Sequence, residues 1–505
     1  MVAAVAAALA GCAALSGAHP GVVVVRATPV AEKGWIAPTE QKGYRSEPMM
    51  RPFCRAEGTI EGNIGFELWL PTEWNGRLLG AGVGGDAGIY NYADMSRRIA
   101  EGFATVTTDS GHKATQARWM ADSKARVDYE HRAVHLTATA AKALAARFYG
   151  RDVDRSYFVG CSGGGRQALK EMQNYPADYD GVIAGAPGPY MPLQSVRMLW
   201  FALQQKAKPD AALTDADWSL YEKAATAACD GDDGVKDGII SSPLACRFKP
   251  KALLCKPGQA DGCLTAPKLA MLENIVAPMK DEQGRVMDDG LFPGVRTRPG
   301  PPSPLLRAMW ADGVYDDPDW NEDGFRPAHD LAQANRIMPE LRADRVSIAP
   351  FVQRGGKAIL WQGWADPSTN AGPTIDYHAA LARAHGGAEA LGKSVRLFMA
   401  PGVYHCGGGP GADQVGGSGQ RTAPGDRSRD MLWALIGWVE EGKAPASLIA
   451  TKIEDGREAF TRKLCPYPQA TRYDGKGRAD DAASYQCVAD PALRAYMKRK
   501  SLVGS

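Results

Sequence analysis

One stretch of this chain narrows its possible folds more than any other: "RSYFVGCSGGGRQALKEMQNYP" at 155–176. "RSYFVG" (155–160) reads as a buried strand and "RQALKEMQNYP" (166–176) as a helix, with a glycine cluster between them. Gly160-Cys161-Ser162-Gly163-Gly164 fits G-x-S-x-G. A strand that turns sharply into a helix needs small residues on both sides, so that the serine hydroxyl stands clear of the sheet. A phosphate-binding turn is the alternative, but the stretch has neither the Walker lysine nor GxGxxG spacing.

The surrounding chain repeats this alternation. "GFELWLP" (65–71), "GRLLGAG" (76–82), "FATVTTDSGH" (103–112) and "GVIAGAPG" (181–188) read as strands, and "YEHRAVHLTATAAKALAARFYG" (129–150) as a helix. From about 190 to 345, four cysteines and many Asp and Pro break the periodicity. The rhythm resumes with "KAILWQGWADP" (357–367), the helix "TIDYHAALARAHG" (374–386), the strand "SVRLFMAPG" (394–402) and the helix "RDMLWALIGWVEEGK" (429–443). The economical reading is an α/β fold, a mostly parallel sheet flanked by helices, interrupted by one large insertion. Residues 12–190 and 346–505 form the main domain and 191–345 the insertion, while 1–11 are a signal-peptide remnant or disordered. A chain of 505 residues is long enough for such a division.

Net charge is +2 with both signs interspersed, which gives no basic footprint for nucleic acid. No apolar run of about 20 residues would span a bilayer. The ten cysteines are even in number and form no CxxC pair, a pattern that favours disulfides and an oxidising compartment. "MVAAVAAALAGC" resembles a clipped export signal, and "LAGC" also fits a bacterial lipobox at Cys12. Lipidating Cys12 would leave an odd cysteine, so a disulfide role is favoured there.

A neutral serine needs a base, and the base needs an orienting carboxylate. In this architecture they follow the serine in the order acid, then histidine. His378 and His385 fall inside a predicted helix, whereas His405 follows a strand and opens "HCGGGPG". Asp366 directly follows the preceding strand, and its competitor Asp376 belongs to the next helix. Ser162, Asp366 and His405 are therefore the expected triad. Cys161 precedes Ser162 and Cys406 follows His405, so contact between serine and histidine would bring the two cysteines within bridging range.

At these residues the chain resembles the tannase and feruloyl esterase family, which includes the mono-hydroxyethyl-terephthalate hydrolases. The marks are "GCSGGGRQALKEMQNYPADYDGVIAGAP", "GWADP", "YHCGGG" and "CPYPQATRYDGKGRADDAASYQC". The resemblance implies an α/β-hydrolase fold with an inserted lid domain. It also implies the Cys161–Cys406 bridge and four more: Cys12–Cys54, Cys229–Cys246, Cys255–Cys263 and Cys465–Cys487. For the oxyanion hole the elbow offers the Gly163 N–H. The second donor is expected from "GAGVGGDAG" (80–88), at Gly84 or Gly85, although Asp86 stands where an apolar or aromatic residue is expected.

"CDGDDGVKDGII" (229–240) gathers carboxylates among glycines. The residues alone fit a Ca²⁺ loop or a solvated acidic turn equally well. The resemblance implies structural Ca²⁺, held by Asp230, Asp233, Asp237 and the carbonyls of Val235 and Ile239, with no organic cofactor.

The implied activity is a secreted or periplasmic serine esterase acting on small aromatic esters, feruloyl or galloyl, as a monomer or weak homodimer. A terephthalate half-ester hydrolase is the alternative. It would need an arginine for the substrate carboxylate, with Arg296, Arg298 and Arg307 as candidates. A non-catalytic envelope lipoprotein or binding protein is the alternative of another class.

Overall fold

Gly17–His19 (β1) and Val22–Val30 (β2) open the sheet, and β2 alternates between buried and exposed side chains, as a strand with one wet face does. That alternation then fades. Phe53–Ile60 (β3), Ile64–Pro71 (β4), Arg77–Ala81 (β5), Ala104–Thr108 (β6), Arg155–Cys161 (β7) and Gly181–Gly185 (β8) are buried along almost their whole length. Strands covered on both faces read this way.

The computed structural model describes residues 11–39, 41–297 and 304–496. The chain divides into two units. One holds residues 1–187, 347–359 and 416–444, and the other 188–346, 360–415 and 445–505. The predicted insertion, 191–345, lies wholly in the second unit. There it is grouped with 360–415 and 445–505, segments that the sequence reading had assigned to the main domain.

In the first unit the strand order is 1-2-3-4-6-5-7-8. The pairs from β1 to β4 are antiparallel, as is β4 with β6. β6, β5, β7 and β8 run parallel to one another. The serine therefore sits at the end of a strand in the parallel half. The helices packed here include α1 (Tyr92–Ile99), α2 (Ala133–Tyr149), α3 (Gly163–Asn174) and, from the end of the unit, Met431–Glu441. α3 starts earlier than its composition predicts, because Gly163, Gly164 and Gly165 form its first turn instead of a preceding loop. Cys12 is bonded to Cys54 in β3, which ties down the N-terminal segment.

In the second unit, helices Met191–Ala207, Asp215–Cys229, Ala266–Val276 and Pro327–Ile337 are the longest regular elements described in the insertion. Thr214 and Asp217 close a capping box at the start of the second of these. The strand Lys357–Gly363 begins in the first unit and ends in the second, and Val395–Ala400 follows the helix Ala371–Ala384. Two hairpins, Leu448–Leu464 and Gln469–Ala489, complete the unit. Cys229–Cys246, Cys255–Cys263 and Cys465–Cys487 are bonded. A bridge closing a loop of this size is worth about 3 kcal/mol, which suits an insertion with little regular structure.

Candidate active site

The serine side is built from backbone. Ser162 stands between β7 and α3 at φ 61°, ψ −124°, a conformation that a non-glycine residue holds only when its surroundings impose it. Its N–H donates to the Gly185 carbonyl at 2.9 Å, and its own carbonyl accepts from Arg166 N–H at 2.9 Å. The glycines around it leave no room for side chains. A β-carbon on Gly160 would lie 2.3 Å from the Gly164 oxygen, and one on Gly165 would lie 2.2 Å from the Gly185 oxygen.

The loop after β5 abuts this elbow, since a β-carbon on Gly163 would lie 2.8 Å from the Gly85 oxygen. Four side chains pin the loop. Asn91 donates to the Gly82 carbonyl at 2.7 Å, and Gln167 accepts from Val83 N–H at 3.1 Å. The Tyr44 hydroxyl accepts from Gly84 N–H at 2.9 Å, and the Tyr129 hydroxyl donates to the Gly85 carbonyl at 2.9 Å. Arg166 is buried and donates to the carbonyls of Tyr129 and Glu130 at 3.0 and 2.7 Å, which holds Tyr129 in place. Asp86, half-buried in the loop, has its carboxyl pKa raised by burial.

The acid–base side is built from side chains. Asp366 is fully buried, and a buried carboxylate must be hydrogen-bonded. Oδ1 accepts from the N–H groups of Ser368 and Thr369 at 2.8 and 2.9 Å, the local turn that an Asp ahead of Pro-Ser-Thr favours. Oδ2 accepts from Gln362 at 3.0 Å, from the Thr369 hydroxyl at 2.6 Å and from His405 Nδ1 at 2.8 Å. With Nδ1 donating to Asp366, the imidazole tautomer is set and Nε2 is the nitrogen that can accept a proton.

Two loops carry this pair and are joined through backbone. Trp364 N–H donates to the Ala400 carbonyl at 3.0 Å and Ala365 N–H to the Val403 carbonyl at 3.1 Å. Gly363 is required where they meet, because a β-carbon there would lie 2.3 Å from the Val403 oxygen. The competing residues have other roles. His378 is buried against Tyr467, with its pKa lowered by desolvation to about 4, and His385 is bonded to the Val346 carbonyl at 3.0 Å.

The insertion's acidic loop touches the histidine loop. A β-carbon on Gly402 would lie 3.1 Å from Ile239 Cγ2, and the Tyr404 hydroxyl bonds to Glu222. Within the acidic loop, Asp230 Oδ1 accepts from the N–H groups of Asp237, Gly238 and Ile239, at 3.0, 3.0 and 3.2 Å. Asp233 accepts from Val235 N–H and the Ser241 hydroxyl, and Asp237 pairs with Arg462. Burial, together with the neighbouring carboxylates, pushes the Asp237 carboxyl up to about 6 despite Arg462. Among the described residues, no group of three or more His, Cys, Asp or Glu side chains converges to hold a metal ion.

Arg296 is engaged by Ser219 and Glu222, and Arg307 by Glu322. Arg298 lies outside the described residues, as does most of the predicted signal remnant. The sulfur of Cys12 is committed to Cys54, which bars a lipid on the same atom. Cys161 and Cys406 are both oxidised, and no described cysteine is free. A hollow of about 570 Å³ in the insertion, beside Trp200, Lys206, Glu282 and Phe325, contains none of the predicted site residues.

The sequence reading missed Gln362, Thr369, Tyr44, Tyr129 and Gln167. Thr369 could have been found from the Asx-turn signal in "DPST", and Gln167 from its place one helical turn after the elbow. Tyr44 carries no local signal.

The profile of the tannase and feruloyl esterase family matches residues 49–299 and 314–488. The chain belongs to that family. A probable feruloyl esterase B-2 of Aspergillus fumigatus is 31% identical over 466 residues, 88% of each chain. An uncharacterized esterase of Xanthomonas campestris is 32% identical over 491 residues, covering 87% of this chain and 85% of the other. Among solved structures, feruloyl esterase B from Aspergillus oryzae superposes with a TM-score of 0.89 at 27% identity, over 96% of this chain and all of that one. Tannin acyl hydrolase from Aspergillus niger shares the fold, with a TM-score of 0.77 at 21% identity over 98% and 96%. This member of the tannase and feruloyl esterase family is thus a carboxylic ester hydrolase with the α/β-hydrolase fold. No described helix is long and apolar enough to cross a membrane.

Proposed function

We propose that this family member is an exported serine esterase that cleaves feruloyl or galloyl esters. Ser162 attacks the ester carbonyl, His405 Nε2 takes the serine proton and returns it to the leaving alcohol, and Asp366 holds the imidazole. Gly163 N–H faces the developing oxyanion, and water then hydrolyses the acyl-enzyme by the same steps. The observation that carries this reading is the 2.8 Å bond between His405 and a fully buried, fully hydrogen-bonded Asp366. The strained backbone of Ser162 at the strand-to-helix turn supports it from the other side.

A Cys161–Cys406 bridge belongs to the same proposal. Both cysteines are oxidised, and the other eight are paired among themselves. Export is supported by these disulfides, which persist in oxidising compartments.

Calcium is proposed in the insertion, held by Asp230, Asp233, Asp237 and the carbonyls of Val235 and Ile239. Burial, and to a lesser extent repulsion from Asp233 and Asp230, raises the Asp237 carboxyl, a cost that a bound cation would relieve. When bound, the ion would cross-link the loop and do no chemistry. Nothing at Arg296 or Arg307 favours a half-ester substrate, because both already face carboxylates.

One panel tests these statements together. Methyl ferulate, methyl gallate and the terephthalate half-ester are offered to the wild type and to Ser162→Ala, with and without chelator. Aromatic ester turnover should fall below about a thousandth in the variant, and chelator should lower the melting temperature of the wild type. Turnover that survives in Ser162→Ala sinks the nucleophile, hydrolysis of the half-ester alone sinks the substrate class, and a melting curve unmoved by chelator sinks the calcium.

A further inference from the structure

The second oxyanion donor is expected at the amide of Gly84 or Gly85, but the amide of Gly84 is already engaged. It donates to the Tyr44 hydroxyl at 2.9 Å. That hydroxyl borders the space beside Gly84 that Ser162 Cβ also borders. A β-carbon added to Gly84 would meet the Tyr44 oxygen at 3.0 Å, the Cys161 carbonyl oxygen at 3.6 Å and Ser162 Cβ at 3.6 Å. A phenol that accepts one hydrogen bond keeps its own hydrogen to donate, and among the described residues that hydrogen has no acceptor. Among the described residues Gly163 N–H likewise has no backbone acceptor outside its helix.

We infer that the Tyr44 phenol is a catalytic residue, the second donor of the oxyanion hole, oriented and polarised by the Gly84 amide. This rests on the serine-esterase reading above. As the Ser162 oxygen bonds to the ester carbon, the π pair of the carbonyl moves onto its oxygen. Gly163 N–H and Tyr44 O–H donate hydrogen bonds to that charge, and no proton crosses from the phenol. When the intermediate collapses, the pair returns, the bond to the leaving oxygen breaks, and the alcohol takes its proton from His405.

A donor that itself accepts a hydrogen bond is the stronger for it. Burial raises the phenol pKa, and Asp94 raises it further against the opposing effect of the Gly84 amide, so the group stays protonated at working pH. Tyr44 belongs to a short turn, Lys42–Tyr44, far in sequence from every motif of the site.

The test uses the full chain with para-nitrophenyl acetate as substrate. Tyr44→Phe keeps the ring and removes the donor. It should lower kcat by about 10²- to 10³-fold, the effect of losing one oxyanion donor, with KM and melting temperature nearly unchanged. Phenylboronic acid, which forms a tetrahedral adduct on a reactive serine, should lose affinity by a similar factor. Gly84→Ala, whose new methyl displaces the phenol oxygen, should lower kcat in the same direction without changing Tyr44.

A Tyr44→Phe enzyme with kcat within about threefold of wild type, or faster, overturns the inference, since the phenol would then be a bystander or a plug. So does a loss confined to KM, or boronate binding that does not change. Should Tyr44→Phe fail to fold, Gly84→Ala decides by the same criteria. If Ser162→Ala remains active, the underlying serine-esterase reading fails instead, and the two failures are distinguishable.

Discussion

The two halves of the candidate site are made from different material. Around Ser162 the constraints are backbone ones: glycines at van der Waals limits, a strained φ, and loop amides and carbonyls held in place. Around His405 the constraints are side-chain hydrogen bonds converging on one buried carboxylate. A position set by close backbone approach tolerates only glycine, so it leaves a mark in the sequence. A position set by converging side chains can draw them from anywhere in the fold.

The largest effect should come from breaking the side-chain half. Asp366→Asn keeps the shape but turns the Oδ2 acceptor shared by Gln362, Thr369 and His405 into a donor, and with it reverses the preferred His405 tautomer. Turnover of para-nitrophenyl acetate should fall by about 10⁴-fold with the fold intact. A tenfold loss would mean that the carboxylate is not what positions the base.

Breaking the backbone half should show first in stability. Gly165→Ala sets a methyl 2.2 Å from the Gly185 oxygen. Overpacking of this kind costs about 1–3 kcal/mol or more, measurable by urea unfolding, and activity should fall along with stability. An unchanged midpoint would show that the elbow has slack.

At neutral pH the smallest effect is a protonation one, and it appears only as pH falls. His378, a buried side chain in the second unit, has a folded pKa near 4 against about 6.5 when unfolded. As pH falls below 6.5 the unfolded chain takes the proton first. Stability present above that pH is therefore lost progressively down to about 4, by about 3 kcal/mol for this group. His378→Leu should flatten part of that slope, leaving the share of His112, whose pKa burial also lowers to about 4. Identical melting curves from pH 7 to pH 4 would exclude His378 as a source.

The same contrast explains what could be read without a structure. The parallel strands, the elbow, Asp366 after its strand and His405 in its glycine loop all follow from local periodicity and turn chemistry. β1–β3 were missed because β1 is only three residues long, β2 loses its alternation at a register shift, and β3, covered along its length, carries no period-two pattern. Gln362 and Thr369 were missed because a side chain's partner is decided by tertiary approach, and Tyr44 lies 40 residues from the amide it meets. The grouping of 360–415 with the insertion was also invisible, since it depends on contacts such as Gly402 with Ile239.

That last contact has a consequence for engineering. The insertion looks like a module that could be exchanged between relatives to change which acyl group is accepted. Yet the segment carrying His405 touches it: Ile239 lies close to Gly402, whose left-handed backbone and close approach to Gly411 already demand glycine, and Tyr404 is tied to Glu222. A graft of 188–346 alone would remove the partners of Gly402 and Tyr404, the residues just ahead of His405. A chimera has to carry the 402–409 loop with it, so the insertion and the loop that holds His405 are inherited together.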